Sequence, residues 1–412
     1  MEIAANGTHR VVSNDALLIS IFVCVSLSFP KIVFTGRLED MDITYKLPHP
    51  VRITCSKYTE MCTQARDQVY DEVFAGLDIE TCSIDYLTHT IMRLRPDIFS
   101  LHRSENLTDH MAGIALSTTL YSYKFRRQDG NILTTSNFLD EILEQTEIGD
   151  DIPVDYLRPP FKTCYIEFTE SRCSSLKVYN ELTHEHILEG VYITETQINP
   201  GSMEMKRYND SPTVDVNKPL RVLDLMFTGS PLGKAHVEDD ALRVQGFYIQ
   251  DGMRTIKQEL SRVEEKYGQD DDFTGDMNYL SETLNHMAKV LLFINCKQYR
   301  DTAFNERKEL RKKITSLKGI GKIRKFEDKL RKTYDRVVIS PVDNVIYESD
   351  AGFNHAKNVK EKRTHWRKGH FRMQPYGPGA SKRKILFIEP TVVGGVFAKK
   401  KSYDVKEKTT SP

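Results

Sequence analysis

Between Phe161 and Gln250 four short runs, Cys164–Phe168, Val191–Thr194, Leu220–Phe227 and Val244–Ile249, are rich in β-branched and aromatic residues and are separated by turn-rich stretches. Such residues fit a pleated surface, and runs this close in sequence read as an antiparallel meander with one covered face. Helical spacing marks residues 60–77, 136–145 and 253–267. It is clearest in Met277–Cys296, where Leu280, Leu284, Met287, Val290, Leu291 and Ile294 form an apolar stripe. The expected fold class is α+β, a central antiparallel sheet flanked by helices, with a basic helical segment and a C-terminal aromatic and basic arm ending in a strand. A chain of 412 residues has room for roughly two to three domains. Its composition shifts divide it into a mixed α/β region (1–150), the sheet with its helices (151–296), the basic helical segment (297–336), the aromatic and basic module (337–398) and a disordered tail (399–412).

The formal net charge of zero hides a segregation. Residues 297–412 hold 30 Lys and Arg against 13 Asp and Glu, a net of +17, and residues 1–296 hold 28 against 45, a net of −17. Either the two parts neutralise each other within one molecule, or the basic part meets a polyanion, with RNA ahead of DNA and membrane. The basic segment is interrupted at Gly319-Ile320-Gly321-Lys322. The glycine spacing is wrong for a phosphate-binding loop and no Ser or Thr follows the Lys, so the motif reads as a helix break.

The C-terminal module mixes rings and cations over about a dozen positions: His365, Trp366, Arg367, Lys368, His370, Phe371, Arg372 and Tyr376, then Lys382, Arg383 and Lys384 beyond a Gly-Pro-Gly turn. Cations suit phosphates and flat rings suit bases, so these residues are the candidate nucleic-acid-binding set. Trp366, Phe371 and Tyr376 would stack, while the Arg and Lys residues would hold phosphates. Two other readings stay open. His365 or His370 could serve as general acid of a metal-independent endoribonuclease, with Lys or Arg holding the phosphate, or the rings could be structural, packed under the Ile385–Ile388 strand. Deletion of residues 364–398 is expected to leave the sheet folded.

Seven cysteines without a C-x-x-C pair fit reduced thiols in a cytosol better than a disulfide scaffold or zinc ribbon. Neither the histidines nor the carboxylates Glu167, Asp224, Asp239 and Asp240 have the spacing of a metal site, so neither metal nor cofactor is expected. His184 and His186 flank Glu185 but bring no further ligand. The uncharged run Ala16–Phe29 is short for a bilayer span and reads as a core element.

The C-terminal stretch His365–Arg372, Gln374–Gly379 and Lys384–Pro390 resembles the signature of a phage- and plasmid-encoded family that includes a type V-A anti-CRISPR protein. The likeness extends upstream through Cys164–Glu167, Gly190–Ile193, Leu223–Met226 and the helix ending Lys289–Cys296, so that it covers roughly residues 160–396. Many relatives have Trp where this chain has Phe371 and Phe387; a ring is kept at both. The resemblance implies a non-catalytic accessory protein of a phage or mobile element. It would act in the bacterial cytoplasm and lower production of a CRISPR effector nuclease, engaging the effector while it is translated. The partners it implies are RNA or the ribosome, together with the effector or its nascent chain. The rival to both anti-CRISPR and nuclease readings is a structural or replication accessory protein whose basic arm docks on an acidic partner.

Overall fold

The computed structural model describes residues 47–55, 57–101, 109–168, 176–180, 184–211, 214–230, 241–250, 254–268, 277–296, 299–342 and 365–393. The run Ala16–Phe29, the tail from 399 and the carboxylates Asp239 and Asp240 lie outside them. Helices α1 (His49–Arg52), α2 (Lys57–Val73), α3 (Ile84–Leu94), α4 (Pro96–Leu101) and α5 (Asp109–Arg127) precede strand β1 (Asn131–Thr135) and helix α6 (Asn137–Glu144). Then come β2 (Thr146–Ile148), β3 (Thr163–Glu167), β4 (Lys177–Asn180), β5 (His184–Ile198), β6 (Leu220–Ser230) and β7 (Ala241–Ile249). Helices α7 (Ile256–Gly268) and α8 (Met277–Cys296) lead to β8 (Tyr299–Phe304), α9 (Glu306–Thr315), α10 (Ile320–Arg331) and β9 (Arg336–Pro341). The chain closes with β10 (His365–Arg367), β11 (Gly369–Tyr376), β12 (Lys382–Ile388) and β13 (Thr391–Val393).

The fold class is α+β. Its centre is an eight-stranded sheet in the order β7-β6-β5-β3-β1-β9-β8, with β4 also paired to β5. The expected meander is present as the antiparallel ladders β3–β5, β5–β6 and β6–β7. The sheet as a whole is mixed, because β1 enters between β3 and β9 and runs parallel to both. Helices over the sheet give the chain the long return path that parallel neighbours need.

Both faces of the sheet are covered, where the runs alone suggested one. Successive side chains on a strand point to opposite faces, and here both sets are apolar. Cys164, Ile166, Val191, Ile193, Leu223 and Leu225 enter one core, while Tyr165, Tyr192 and Met226 enter the other. The second core is built with side chains of α2 to α5, such as Tyr70, Leu87, Ile91, Leu116 and Leu120. The first is closed by α6, α8 and the β11–β12 hairpin. Continuous apolar runs of this kind mark strands buried on both sides.

Helix α8 has the expected limits but buries more than a stripe. Ala288, Leu292 and Phe293 are sealed alongside Leu284, Met287, Val290, Leu291 and Ile294. It is apolar on most of its circumference because it touches β4 and β8 of the sheet and β12 of the hairpin.

Candidate nucleic-acid interface

The C-terminal hairpin shows why rings and cations alternate. In β11, Gly369, Phe371 and Met373 are buried while Arg372 is exposed. In β12, Lys382, Arg383 and Lys384 are exposed and Ile385 and Phe387 are buried. The antiparallel register pairs Phe371 with Phe387, Met373 with Ile385, Gln374 with Lys384 and Tyr376 with Lys382. The strand period of two thus sends the apolar set down and much of the polar set up. Phe371 and Phe387 lie with ring centroids 4.9 Å apart, and Phe387 meets Phe293 of α8 edge-on at 5.4 Å. Gly377, at φ 80°, turns the chain between the strands.

The hairpin is tied to the body by β2, which pairs in parallel with β11. At Gly369 a Cβ would stand 2.6 Å from Thr146 Oγ1 and 2.8 Å from the Pro390 ring, so only glycine permits this approach. Lys368 donates to Glu147 Oε1 at 2.8 Å. That contact lowers the Glu147 carboxyl below its usual range and raises the Lys368 ammonium.

Two expectations are corrected. Phe371 is 0% exposed within the main core, so its ring is not offered to a base. Because Phe371, Met373, Ile385 and Phe387 all belong to that core, the segment is not a dispensable arm, and its deletion opens the interior. The structural reading of the rings thus applies to Phe371 and Phe387. Tyr376 is 45% exposed, with the Lys384 ammonium 5.9 Å from its ring centroid. Arg367, Arg372, Lys382, Arg383 and Lys384 are exposed, and among the described residues none of the five is in an ion pair. Trp366 pairs through its backbone with Val392 of β13; its side chain lies outside the description.

His365 and His370 are placed in different sheets. His365 pairs with Val393 in the β10–β13 ribbon, and His370 pairs with Ile388 and Glu147 in the β12-β11-β2 sheet. No strand pairing brings them together. Among the described residues no group of three or more His, Cys, Asp or Glu is arranged to hold a metal ion. Glu167 accepts from Thr134 Oγ1 at 2.8 Å and from the Tyr334 hydroxyl at 3.0 Å. His186 is buried.

Asp224 belongs to a buried polar cluster that sequence reasoning did not assemble. Its Oδ2 accepts the Ile84 N–H at 3.2 Å, at the start of α3. Glu204 accepts the Ser83 N–H at 3.2 Å and also the Ser83 hydroxyl. Lys124 Nζ donates to Cys82 O at 2.6 Å and Thr196 Oγ1 at 3.1 Å. Burial pushes the Asp224 carboxyl up to about 7 and the Lys124 ammonium down to about 8. Ser83 before an apolar helix was the one local signal, since serine is a strong N-cap. The partners come from 41 to 141 positions away in sequence.

No helix among the described residues is long and apolar enough to cross a membrane. No curated protein and no solved structure matches the chain. The family model AcrVA2-like, described as the anti-CRISPR type V subtype A2 family, matches residues 133–395. That span runs from β1 to the end of β13 and contains the whole candidate interface. The chain therefore belongs to the AcrVA2-like anti-CRISPR type V subtype A2 family, and its role is that of an accessory protein in evasion of host CRISPR defence.

Proposed function

We propose that the protein suppresses production of a CRISPR effector nuclease by binding RNA, free or on the ribosome, together with a protein target such as the effector's nascent chain. The observation that carries the RNA part is the outer side and tip of the β11–β12 hairpin. Arg372, Lys382, Arg383 and Lys384 stand exposed and unpaired there beside the half-open ring of Tyr376. Cations that already hold a carboxylate gain little from a phosphate. Cations left unpaired can neutralise phosphates, which releases the counterions condensed on the RNA. A stacked base on Tyr376 would add about 1–3 kcal/mol. The acidic N-terminal portion, net −17 over residues 1–296, offers the complementary surface for a basic nascent segment.

Fluorescence anisotropy with single-stranded RNA tests this. Arg383→Glu with Lys384→Glu should weaken binding by about tenfold or more and make the salt dependence shallower by about 1.4 in slope, the share of two phosphate contacts. Tyr376→Ala should weaken it at all salt concentrations. Unchanged affinity in both variants refutes the reading. Metal-independent cleavage of the RNA, abolished by His370→Ala with binding retained, would replace it with the nuclease reading.

A further inference from the structure

Helices α9 and α10 are inserted between β8 and β9 at one end of the sheet order. Neither helix buries a residue. The insertion is nevertheless fixed at its base. Asp335 Oδ1 accepts the Arg307 N–H at 2.7 Å, capping α9 where Asn305 supplies no side-chain cap. Arg331 reaches Glu60 of α2 at 3.2 Å and Asp328 at 2.8 Å.

From Glu306 to Lys332 the insertion carries 12 Lys and Arg against 4 Asp and Glu, a net of +8. Its half-buried apolar residues recur as stripes, Leu310, Ile314 and Leu317 on one side and Ile323, Phe326 and Leu330 on the other, and the two helices pack on each other. Lys322, Lys325 and Lys329 recur at i, i+3 and i+7 along α10 and are exposed, a cationic row about 10 Å long. Opposite charges three or four residues apart on a helix face attract by only a few tenths of a kcal/mol. None of these three lysines is in an ion pair among the described residues.

The insertion also lacks what a single-strand reader needs. Its one ring between Glu306 and Lys332 is Phe326, half-buried, with the Lys313 ammonium 4.8 Å from its centroid. Sequence-tolerant binders of single strands stack bases on open rings, whereas duplex RNA is read through its phosphates and 2′-hydroxyls. We infer that the α9–α10 hairpin is a docking surface for the phosphate backbone of double-helical RNA. The choice of RNA over DNA rests on the function proposed above; the choice of the double helix rests on this hairpin alone.

The test uses the full chain and three probes: an RNA duplex of about two turns, a DNA duplex of the same sequence and a single-stranded RNA. In the variant Lys322→Glu, Lys325→Glu, Lys329→Glu, affinity for duplex RNA should fall by about tenfold or more. The slope of its logarithm against that of salt should become shallower by about 3, one per lost phosphate contact. Single-stranded RNA affinity should stay unchanged. The neutral replacement by Gln at the same positions, which keeps helix-forming residues, should show the same loss at smaller size even if the charge-reversed chain melts early. Unchanged duplex RNA affinity in both variants overturns the inference. So does a native chain that ignores duplex RNA or binds duplex DNA equally well. If Arg383→Glu with Lys384→Glu spares single-stranded RNA while the helix variants lose duplex RNA, the hairpin reading of the previous section fails and this one stands.

Discussion

Lys124 and Asp224 are ordinary residues placed where water cannot reach them. Asp224 is held up near 7 by burial, whereas an unfolded aspartate titrates near about 3.9. Between those values the folded chain keeps a proton that the unfolded chain releases, so stability falls as pH rises from about 4 to 7. Lys124, lowered to about 8, acts in the opposite sense above that pH, where the unfolded chain holds the extra proton and stability recovers. Asp224→Asn keeps an acceptor for the Ile84 N–H and removes the titration. The drop in melting temperature between pH 5 and pH 7 should therefore be smaller in that variant; an equal drop would show that Asp224 does not titrate in this window. Glu204 and Glu167, also raised by burial, would account for what remains. Sequence could flag Asp224 as a carboxylate worth weighing. It could not show what the carboxylate caps, because its donor at Ile84 lies 140 positions away.

The β11–β12 hairpin is the element on which sequence and structure differ most usefully. Its cations read correctly from the sequence as an exposed set, for the residues whose exposure is described. The strand period separates these cations from Phe371 and Phe387. Phe371 and Phe387 fall on the positions that face α8, and Arg372 falls between Phe371 and Met373 on the other side. The period-two pattern was present in the letters Phe371-Arg372-Met373 and Ile385-Leu386-Phe387, but it extends over only a few residues and competes with the charge signal. Phe387→Ala should cost about 3–5 kcal/mol, the usual range for removing a buried phenylalanine, and should abolish sharp melting if the chain is only marginally stable. Removal of residues 364–398 should do the same more completely. A truncated chain that still melts cooperatively would contradict the packing described here. Helix α8 was legible in advance because its apolar content is dense. Strand β8, Tyr299–Phe304, was not, since its residues are largely polar and its pairing with β9 is set by tertiary contact.

At the scale of the molecule, the segregation of charge in the sequence is visible among the described residues. Residues 297–412 carry a net +17, of which the described residues show a few cations meeting the acidic portion. Lys368 meets Glu147 and Arg331 meets Glu60, while the tip of the hairpin and the outer row of α10 stay unpaired among the described residues. Two cationic elements of different geometry therefore stand on two sheets, the α9–α10 insertion on the large one and the hairpin in the three-stranded one. One lies beside an exposed ring, and the other offers no open ring. The α+β class and its antiparallel centre could be read from four apolar runs. The parallel insertion of β1 could not, because its neighbours β3 and β9 lie about 30 and 200 residues further along the chain. In the function proposed above, the unpaired cations of these two elements grip RNA. Chemical crosslinking of the full chain to RNA with a bifunctional lysine-reactive reagent, followed by mass spectrometry of the RNA-bearing peptides, is the decisive experiment. Adducts are expected to concentrate in peptides spanning residues 306–332 and 365–384. Adducts confined to the acidic portion, or none at all, would contradict it.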